Sequence, residues 1–320
     1  MEQAYIGVDI GGMTIKAGIV DLNGKIISKE KCLTDTSKGS EPFMRDIKML
    51  IQSLLASASK LNYDVKGIGI GAPGVVNNKL GTIDYATNLK LYNVPIADYL
   101  KEFNLPIFVS NDANVAALAE QRWGAASGYS DVVMITLGTG VGSGIVIDNK
   151  LFEGNQGKGA ELGHMVIVVD GLECNCGRHG CFEKYASASA LVNETKEIME
   201  KHKDSLMWEM CGHDLNKVDG TTSFECAKKG DVAANEVVDL YIKYLGEGLL
   251  NVCNIFRPQA IVLGGGISNQ KDYLKNKVQK YLEDHYYGYH ETPRTEVLIA
   301  TLKNDAGIIG AATLAFIGRK

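Results

Sequence analysis

The chain has 320 residues, enough for about two domains, and 45% of them are hydrophobic, so substantial cores can form. Its formal net charge of −5 excludes the broad positive surface that is typical of nucleic-acid-binding proteins. No apolar run reaches the length of about 18 residues that a membrane span needs, and the opening MEQAYIGVDI lacks the features of a signal peptide. We therefore expect a cytoplasmic protein whose partners include neither nucleic acid nor membrane.

The N-terminal region predicts a series of β-hairpins. Tyr5–Ile10 alternates as a strand, GGMT forms a turn, Ile15–Val20 returns, and a turn at LNGK leads into Ile26–Lys29. The same plan recurs near residue 132 in VVMITL, GTGVG and SGIVID. Aligning Gly11 with Gly138 places the two glycine turns 127 residues apart. This recurrence indicates an internal duplication with one turn in each domain.

Glycine turns of this kind can bind phosphate. Successive backbone N–H groups form a concave anion site, and glycine lets a phosphate approach the main chain without an intervening Cβ. A hairpin that merely needs a tight turn is the alternative for either turn alone, and the recurrence favours phosphate binding. A third run, Gly264–Gly266, follows the predicted strand Ala260–Leu263. This run could approach a nucleotide or could be only a tight turn.

Helices and strands alternate along the rest of the chain, which predicts an α/β protein. The predicted elements are the helices Glu41–Leu61, Ala113–Glu120, Ala186–Lys201, Cys226–Lys229, Asp231–Cys253 and Ala306–Ile317, the strands Gly67–Ile70 and Ile107–Val109, and an irregular loop or lid over Lys203–Gly220.

Asn111 and Asp112 lie where the strand Ile107–Val109 gives way to a helix. One interpretation is an ordinary N-cap, because Asn and Asp side chains accept hydrogen bonds from the first N–H groups of a helix. The other is a general base, because the carboxyl end of a strand mounts a catalytic side chain rigidly beside a cleft. The segment alone leaves both open.

His164, Cys174, Cys176 and Cys181 fall within eighteen residues. Three thiolates and an imidazole are the ligand set of a closed, structural Zn²⁺ site, in which no coordinated water is left for catalysis. Reduced core cysteines beside a core histidine are the alternative, although the polar, glycine-rich surroundings argue against it. The other four cysteines show no pairing pattern, as expected in a reducing compartment.

The motifs together resemble those of the ROK family (repressors, open reading frames and kinases), and within it the bacterial glucokinases. The resemblance extends over essentially the whole chain. It rests, in order, on IGVDIGGMTIKAGIVD, GIGAPG, the pair Asn88-Leu89, SNDANVAALAE, ITLGTGVGSGIV, GAELGH, CNCGRHGCFEKYAS, IVLGGGIS and DAGIIGAA.

The resemblance implies a two-lobed, actin-like (ribonuclease H-like) ATPase fold with a cleft between the lobes. Residues 1–115 would form the small lobe, completed by a C-terminal helix at 303–320, and residues 116–302 the large lobe with a zinc loop at 164–181. The implied activity is ATP-dependent phosphorylation of the 6-hydroxyl of glucose with Mg²⁺, by a protein that tends to form homodimers. Kinases for N-acetylmannosamine, fructose, allose and β-glucosides share these motifs and remain alternatives.

Residue roles follow from the same resemblance. Asp112 is the expected general base, Asp9 is expected to position Mg²⁺, and His164 is expected to bind zinc with one ring nitrogen and the sugar with the other. The expected sugar-binding set is Gly71, Asn88, Asn111, Asp112, Glu161, His164 and Glu183. The expected ATP-binding set is Asp9, Gly11, Gly12, Met13, Thr14, Lys16, Gly138, Thr139, Gly140, Gly264, Gly265 and Gly266.

One residue departs from the family pattern. Met13 stands where the family usually has Thr, so a hydroxyl contact to phosphate is missing there, and backbone N–H donors of Gly11 to Thr14 would have to suffice. A ROK repressor is disfavoured because no basic helix-turn-helix module precedes the first predicted strand. A sugar-binding protein without catalysis is disfavoured because both acids and both glycine turns are present.

Overall fold

The computed structural model describes residues 1–288 and 290–318. Its strands are β1 Glu2–Ile10, β2 Thr14–Asp21, β3 Ile26–Leu33, β4 Tyr63–Ala72, β5 Val75–Asn77, β6 Thr82–Ala86, β7 Leu91–Val94, β8 Ile107–Asn111, β9 Val132–Leu137, β10 Val141–Ile147, β11 Lys150–Leu151, β12 Ala260–Gly264 and β13 Glu296–Ile299. Its helices are α1 Ser40–Lys60, α2 Ile96–Leu100, α3 Asp112–Trp123, α4 Glu183–Ala186, α5 Ala188–Lys201, α6 Leu206–Met210, α7 Thr222–Lys228, α8 Val232–Phe256, α9 Asp272–His285 and α10 Ala306–Gly318. The predicted α/β class is confirmed.

The chain divides into two compact units. The first contains Met1–Val132, Gly144–Ala160 and Thr301–Lys320, and the second contains Val133–Ser143 and Glu161–Ala300. The predicted division, with residues 116–302 in the large lobe, differs from this one in residues 116–132, 144–160 and 301–302. The whole of α3 therefore groups with the first unit, because α3 packs closely against α10, where a Cβ on Gly310 would overlap the Val115 carbonyl. Residues 319–320 of the predicted C-terminal segment lie outside the described residues.

The first unit is built on a sheet with the order β3-β2-β1-β4-β8. The hairpins β1–β2 and β2–β3 are antiparallel, whereas β1–β4 and β4–β8 are parallel. Side chains alternate along β1, so that Ile6, Val8 and Ile10 join the core with α1, while Tyr5 packs with residues of α10. Asp9 lies on the α10 face as well.

Helix α10 lies unusually close to this sheet. A Cβ on Gly7 would overlap the carbonyl oxygen of Ile308, and a Cβ on Gly69 would overlap that of Ala311. The small residues of β1, β4 and α10 thus allow the backbone of the helix to contact the backbone of the two strands. The predicted helix Ala306–Ile317 is confirmed, and its small, apolar composition is explained by this contact.

A second five-stranded sheet has the order β11-β10-β9-β12-β13. In both sheets the first strand of a hairpin series is central, with the hairpin partners on one side and two later strands on the other. This shared order supports the predicted internal duplication. A smaller sheet, β5-β6-β7, follows β4 and was absent from the sequence prediction.

The predicted irregular loop over Lys203–Gly220 is wrong in part, because α6 and a short 3₁₀ turn at Leu215–Lys217 lie within it. Helix α6 forms because Ser205 accepts a hydrogen bond from the N–H of Met207 and Asp231 accepts one from the N–H of Leu206. The contact with Asp231 bridges 25 residues, so local composition could not reveal it.

No helix in the described part of the chain is both long and apolar enough to cross a membrane.

Candidate functional site

Asp9 lies near the end of β1 under the first turn of α10. A Cβ on Gly307 would overlap the Asp9 carboxylate, so only glycine at this position lets the helix cover it. The Nζ of Lys16, directly opposite on β2, is 3.8 Å from Oδ2 of Asp9. Burial raises the pKa of the Asp9 carboxyl above its ordinary value, and the charge of Lys16 acts in the opposite direction.

The raised pKa predicts that Asp9 lowers the stability of the folded chain. The folded state favours the neutral carboxyl, so the ionised group costs stability at neutral pH, and the cost disappears as the pH falls through the folded-state pKa. We expect Asp9→Asn to melt at a higher temperature than the wild type at pH 7 and to lose that advantage in acid. Thermal unfolding between pH 4 and pH 8 measures this, with the exposed Asp98→Asn as the control. A variant that melts below the wild type at pH 7 would contradict the expected cost of ionisation.

The first glycine turn joins β1 to β2. The N–H of Gly11 donates to the carbonyl of Thr14 at 3.0 Å, and the hydroxyl of Thr34 donates to the carbonyl of Gly11 at 2.7 Å. The Gly11 N–H is therefore occupied within the turn, and the phosphate contact expected of Gly11 stays a prediction. Within the described residues, the N–H groups of Gly12 and Met13 have no protein acceptor, and a Cβ on Gly12 would meet open space.

Met13 is 84% exposed, so its side chain takes no part in the core. Its carbonyl accepts a hydrogen bond from the N–H of Thr34 at 3.0 Å. The methionine can therefore replace a hydroxyl residue without disturbing the turn, because the turn is fixed by its backbone.

The second glycine turn joins β9 to β10. The N–H of Gly138 donates to the carbonyl of Gly140 at 3.0 Å. The start of α5 holds this turn, since the N–H of Ala188 donates to the carbonyl of Gly138 at 2.8 Å and the hydroxyl of Ser189 donates to that of Thr139 at 2.9 Å. A Cβ on Gly138 would meet open space, so a ligand can approach the backbone there.

Glu183, the first residue of α4, also supports the second turn. Its Oε2 accepts a hydrogen bond from the N–H of Val141 at 2.9 Å. A Cβ on Gly140 would overlap this carboxylate, so a larger residue does not fit at this position. Glu183 therefore has a structural contact besides the sugar-binding role expected from the sequence.

The third glycine run follows β12. Gly265 has a φ of +80° and lies against the backbone of Leu137, so it makes a left-handed turn in close contact with β9. Gly264 contacts Met134, whereas a Cβ on Gly266 would meet open space. Close packing therefore explains Gly264 and Gly265, whereas Gly266 has open space in which a ligand can lie.

Asn111, rather than Asp112, is the N-cap of α3. Its Oδ1 accepts from the N–H of Ala113 at 2.8 Å, and its Nδ2 donates to the carbonyl of Gly74 at 3.0 Å. Asp112 is the first residue of the helix, half-buried, with Oδ1 also 2.8 Å from the N–H of Ala113. Because Asn111 meets the capping requirement, capping does not by itself explain the carboxylate of Asp112.

Gly71 and Asn88 lie in the same unit as Asp112. A Cβ on Gly71 would lie 2.6 Å from the Cγ2 of Val115 and 3.7 Å from the Cα of Asp112, so this glycine lets β4 pack against the start of α3. Asn88 is exposed in a 3₁₀ turn at Thr87–Leu89. Of the predicted sugar-binding residues, these two share the first unit with Asn111 and Asp112.

The second unit brings the four predicted zinc ligands together. One ligand atom from each of His164, Cys174, Cys176 and Cys181 lies within 4.8 Å of the others. The Sγ atoms of Cys176 and Cys181 are 3.6 Å apart, and Nδ1 of His164 is 3.7 Å from Sγ of Cys174. Zinc–sulfur bonds of about 2.3 Å in a tetrahedron place sulfurs about 3.8 Å apart. The donor set and its spacing fit zinc.

Nδ1 of His164 faces the cysteines, so Nε2 is the ring nitrogen left for a second partner. Two acids flank the cluster in the same unit. Partial desolvation raises the pKa of the Glu161 carboxyl, the neighbouring charge of His164 lowers it, and that of Glu183 raises it. A carboxyl with a raised pKa therefore lies near His164 in this unit.

Sequence reasoning missed three residues that shape the site: Thr34, which braces the first turn, Ser189, which braces the second, and Gly307, which admits Asp9 beneath α10. Thr34 and Ser189 lie far from their turns in sequence and carry no local signal. Gly307 belongs to the run DAGIIGAA, in which the small residue was recognised but its contact with Asp9 could not be predicted.

The chain is similar to known proteins in both sequence and structure. The chain is 37% identical to a glucokinase of Halalkalibacterium halodurans, over 98% of this chain and 95% of that one. It is 28% identical to a xylose repressor of Caldicellulosiruptor bescii, over 97% of this chain and 77% of the repressor. A ROK family glucokinase of Streptomyces griseus, solved with glucose and AMPPNP, matches with a TM-score of 0.80 and 37% identity, over 98% of this chain and 100% of that one. The model of the ROK family matches residues 5–316, and the chain belongs to the ROK family.

Proposed function

We propose that this chain is an ATP-dependent sugar kinase that phosphorylates the 6-hydroxyl of glucose. The observation that carries the proposal is the end of β8, where Asn111 caps α3 and Asp112 follows with a carboxylate that the cap does not require. The 37% identity to a relative solved with glucose and AMPPNP supports both substrates. Kinases for other sugars remain the second candidate within the same chemistry.

In this proposal Asp112 accepts the proton of the sugar hydroxyl as its oxygen attacks the γ-phosphorus, while the bond from that phosphorus to the bridging oxygen breaks. Phosphoryl transfer depends mainly on positioning and charge stabilisation. The open backbone positions at Gly12 and Gly138 would hold phosphate oxygens, and Gly266 would lie against the nucleoside. Asp9 would position Mg²⁺, which neutralises phosphate charge when bound.

The resemblance assigns sugar hydroxyls to Asn88, Asn111 and Asp112 of the first unit and to Glu161, His164 and Glu183 of the second. His164 fits two roles, because Nδ1 faces the cysteines and Nε2 can donate to a hydroxyl. A structural Zn²⁺ in the cluster would fix the ring's orientation and tautomer, so that metal and sugar binding are coupled. Homodimer formation and a cytoplasmic location stay predictions.

Glu183→Gln tests the sugar-binding role. The glutamine carbonyl can still accept the hydrogen bond from Val141, so the second turn and the zinc cluster should remain intact. Loss of a charged acceptor costs on the order of 1.5–3 kcal/mol, which raises the KM for sugar roughly ten- to a hundred-fold. Steady-state kinetics with elemental analysis measure both effects. An unchanged sugar KM, or loss of zinc, would make Glu183 a purely structural residue.

A panel of hexoses and amino sugars, assayed with ATP by coupled detection of ADP, tests the proposal as a whole. We expect glucose to give the highest kcat/KM. A higher value for N-acetylmannosamine, fructose, allose or a β-glucoside would identify the second candidate. No turnover of any sugar, combined with specific binding to operator DNA, would instead assign the chain to the repressor branch represented by the xylose repressor.

A further inference from the structure

The segment that follows β11, residues 153–160, packs against the small sheet β5-β6-β7 within the first unit. We call it the return segment. Gly157, with a φ of +78°, lies so close to β5 that a Cβ would be 3.1 Å from the carbonyl oxygen of Val76. Nζ of Lys158 is 2.7 Å from Oδ2 of Asp84 in β6. These two contacts fasten the return segment to two strands of the small sheet.

Glu153, at the start of the return segment, uses both carboxylate oxygens. Its Oε1 accepts a hydrogen bond from the hydroxyl of Ser110 at 2.5 Å, and its Oε2 accepts one from Nδ2 of Asn78 at 2.9 Å. Its carbonyl accepts from the N–H of Gly159 at 2.7 Å, so the backbone that carries the carboxylate is fixed as well. Hydrogen bonds to an ionised carboxylate are about twice as strong as those between neutral groups. Glu153 therefore joins β8 firmly to the end of β5.

The two partners of Glu153 lie on either side of Asn111. Ser110, only 1% exposed, directly precedes Asn111 in β8. Asn78 directly follows β5, and Gly74, immediately before β5, supplies the carbonyl to which Nδ2 of Asn111 donates at 3.0 Å. The hydrogen bonds Glu153–Ser110, Glu153–Asn78 and Asn111–Gly74 thus form a closed connection between β5 and the end of β8. We call these three bonds the Glu153 network.

We infer that Glu153 is a positioning residue for Asp112, the base in the proposed phosphoryl transfer. It acts through Ser110 and Asn111, because the Glu153 network holds the last residues of β8 and Asp112 is the next residue in the chain. Removing the carboxylate would leave the buried Ser110 hydroxyl without its acceptor, which favours a rearrangement of the strand end. A displacement of about 1 Å at a reacting group can cost on the order of 10² in rate. The catalytic consequence rests on the proposed function, whereas the ordering of this strand end does not.

Glu153→Ala removes both hydrogen bonds to the carboxylate. We expect kcat with glucose to fall about ten-fold or more and the glucose KM to rise, while the ATP KM stays within about two-fold of wild type. An enzyme that is merely less stable, assayed below its melting temperature, would keep all three constants. Lys158→Gln is the matched control, since it removes a contact of the same return segment and leaves the Glu153 network intact. It should retain the wild-type constants.

A second substitution can restore the network. Asn78→Asp alone places two carboxylates against each other and should lower kcat at least as much as Glu153→Ala. In the double variant Glu153→Gln, Asn78→Asp, the glutamine carbonyl can accept from Ser110 while its amide donates to the new carboxylate. We expect kcat of the double variant to return to within about three-fold of wild type, whereas two independent stability defects would add.

Hydrogen exchange over residues 107–118, followed by mass spectrometry, tests the Glu153 network without sugar turnover. We expect Glu153→Ala to exchange about ten-fold faster at the start of α3, and the double variant to exchange like the wild type. Equal kcat and equal exchange for Glu153→Ala and Lys158→Gln would overturn the inference, as would a double variant no better than Asn78→Asp alone. A wild type that phosphorylates no sugar would refute the kinase proposal instead, and exchange would still decide whether Glu153 orders this strand end.

Discussion

Asp112→Asn is expected to lower kcat by about 10²–10⁴, because the general base is removed while the shape of the side chain is kept. Oδ1 of the new asparagine can still accept the hydrogen bond from the N–H of Ala113, so the start of α3 should not change. The KM values for sugar and ATP should remain within a few-fold of wild type. Steady-state kinetics over a range of glucose concentrations measure these constants.

Asp98→Asn is the matched control, since Asp98 is a 79% exposed aspartate of α2. It should keep full activity. If Asp112→Asn retains more than about a tenth of the wild-type kcat with any accepted sugar, Asp112 is not the base. Its carboxylate would then serve the helix start together with Asn111.

Cys176→Ser is expected to remove the zinc and, with it, most of the affinity for sugar. Binding of zinc by such ligand sets contributes roughly 10–16 kcal/mol of folding free energy, so the loop that carries His164 should lose its order. Because Cys176 is exposed, the substitution itself leaves no cavity in the core. Elemental analysis should find about one zinc per wild-type chain and almost none in the variant, whose sugar KM should rise more than its ATP KM.

Cys32→Ser is the control for this experiment, because Cys32 lies on β3 and outside the cluster. It should keep both zinc and sugar affinity. Wild-type enzyme that turns over sugar at full rate without zinc would show that the activity does not need a metal at these four side chains.

Local patterns predicted much of the fold. The hairpin Tyr5–Ile10 to Ile15–Val20 and the helix Ala306–Ile317 were recognisable because their periodicity and turn residues lie within a few positions of one another. Helix α6 was missed because its start depends on Asp231, 25 residues away from Leu206. The short helix α4 was missed, and α5 begins at Ala188 rather than at the predicted Ala186, because Ser187 caps it by accepting a hydrogen bond from the N–H of Ala190.

The candidate site was predictable in its residues more than in its contacts. The four zinc ligands were predictable because their types and close spacing are distinctive. In contrast, no local pattern indicated that Glu183 accepts a hydrogen bond from the N–H of Val141, or that the N–H of Gly11 donates to the carbonyl of Thr14. Such contacts arise only when distant segments meet, so an exposed N–H and an occupied one look alike in a motif.

The closeness of α10 to the first sheet has a consequence for how the chain matures. Gly307, in the first turn of α10, covers Asp9. The 140 residues 161–300, which belong to the other unit, are synthesised after the first sheet and before that helix. Until α10 emerges from the ribosome, one side of β1 and β4 stays uncovered, and such long-range closure is intrinsically slow. A nascent chain that stops before Ala306 would expose this apolar face to chaperones, so the surroundings of Asp9 are complete only after α10 has been synthesised.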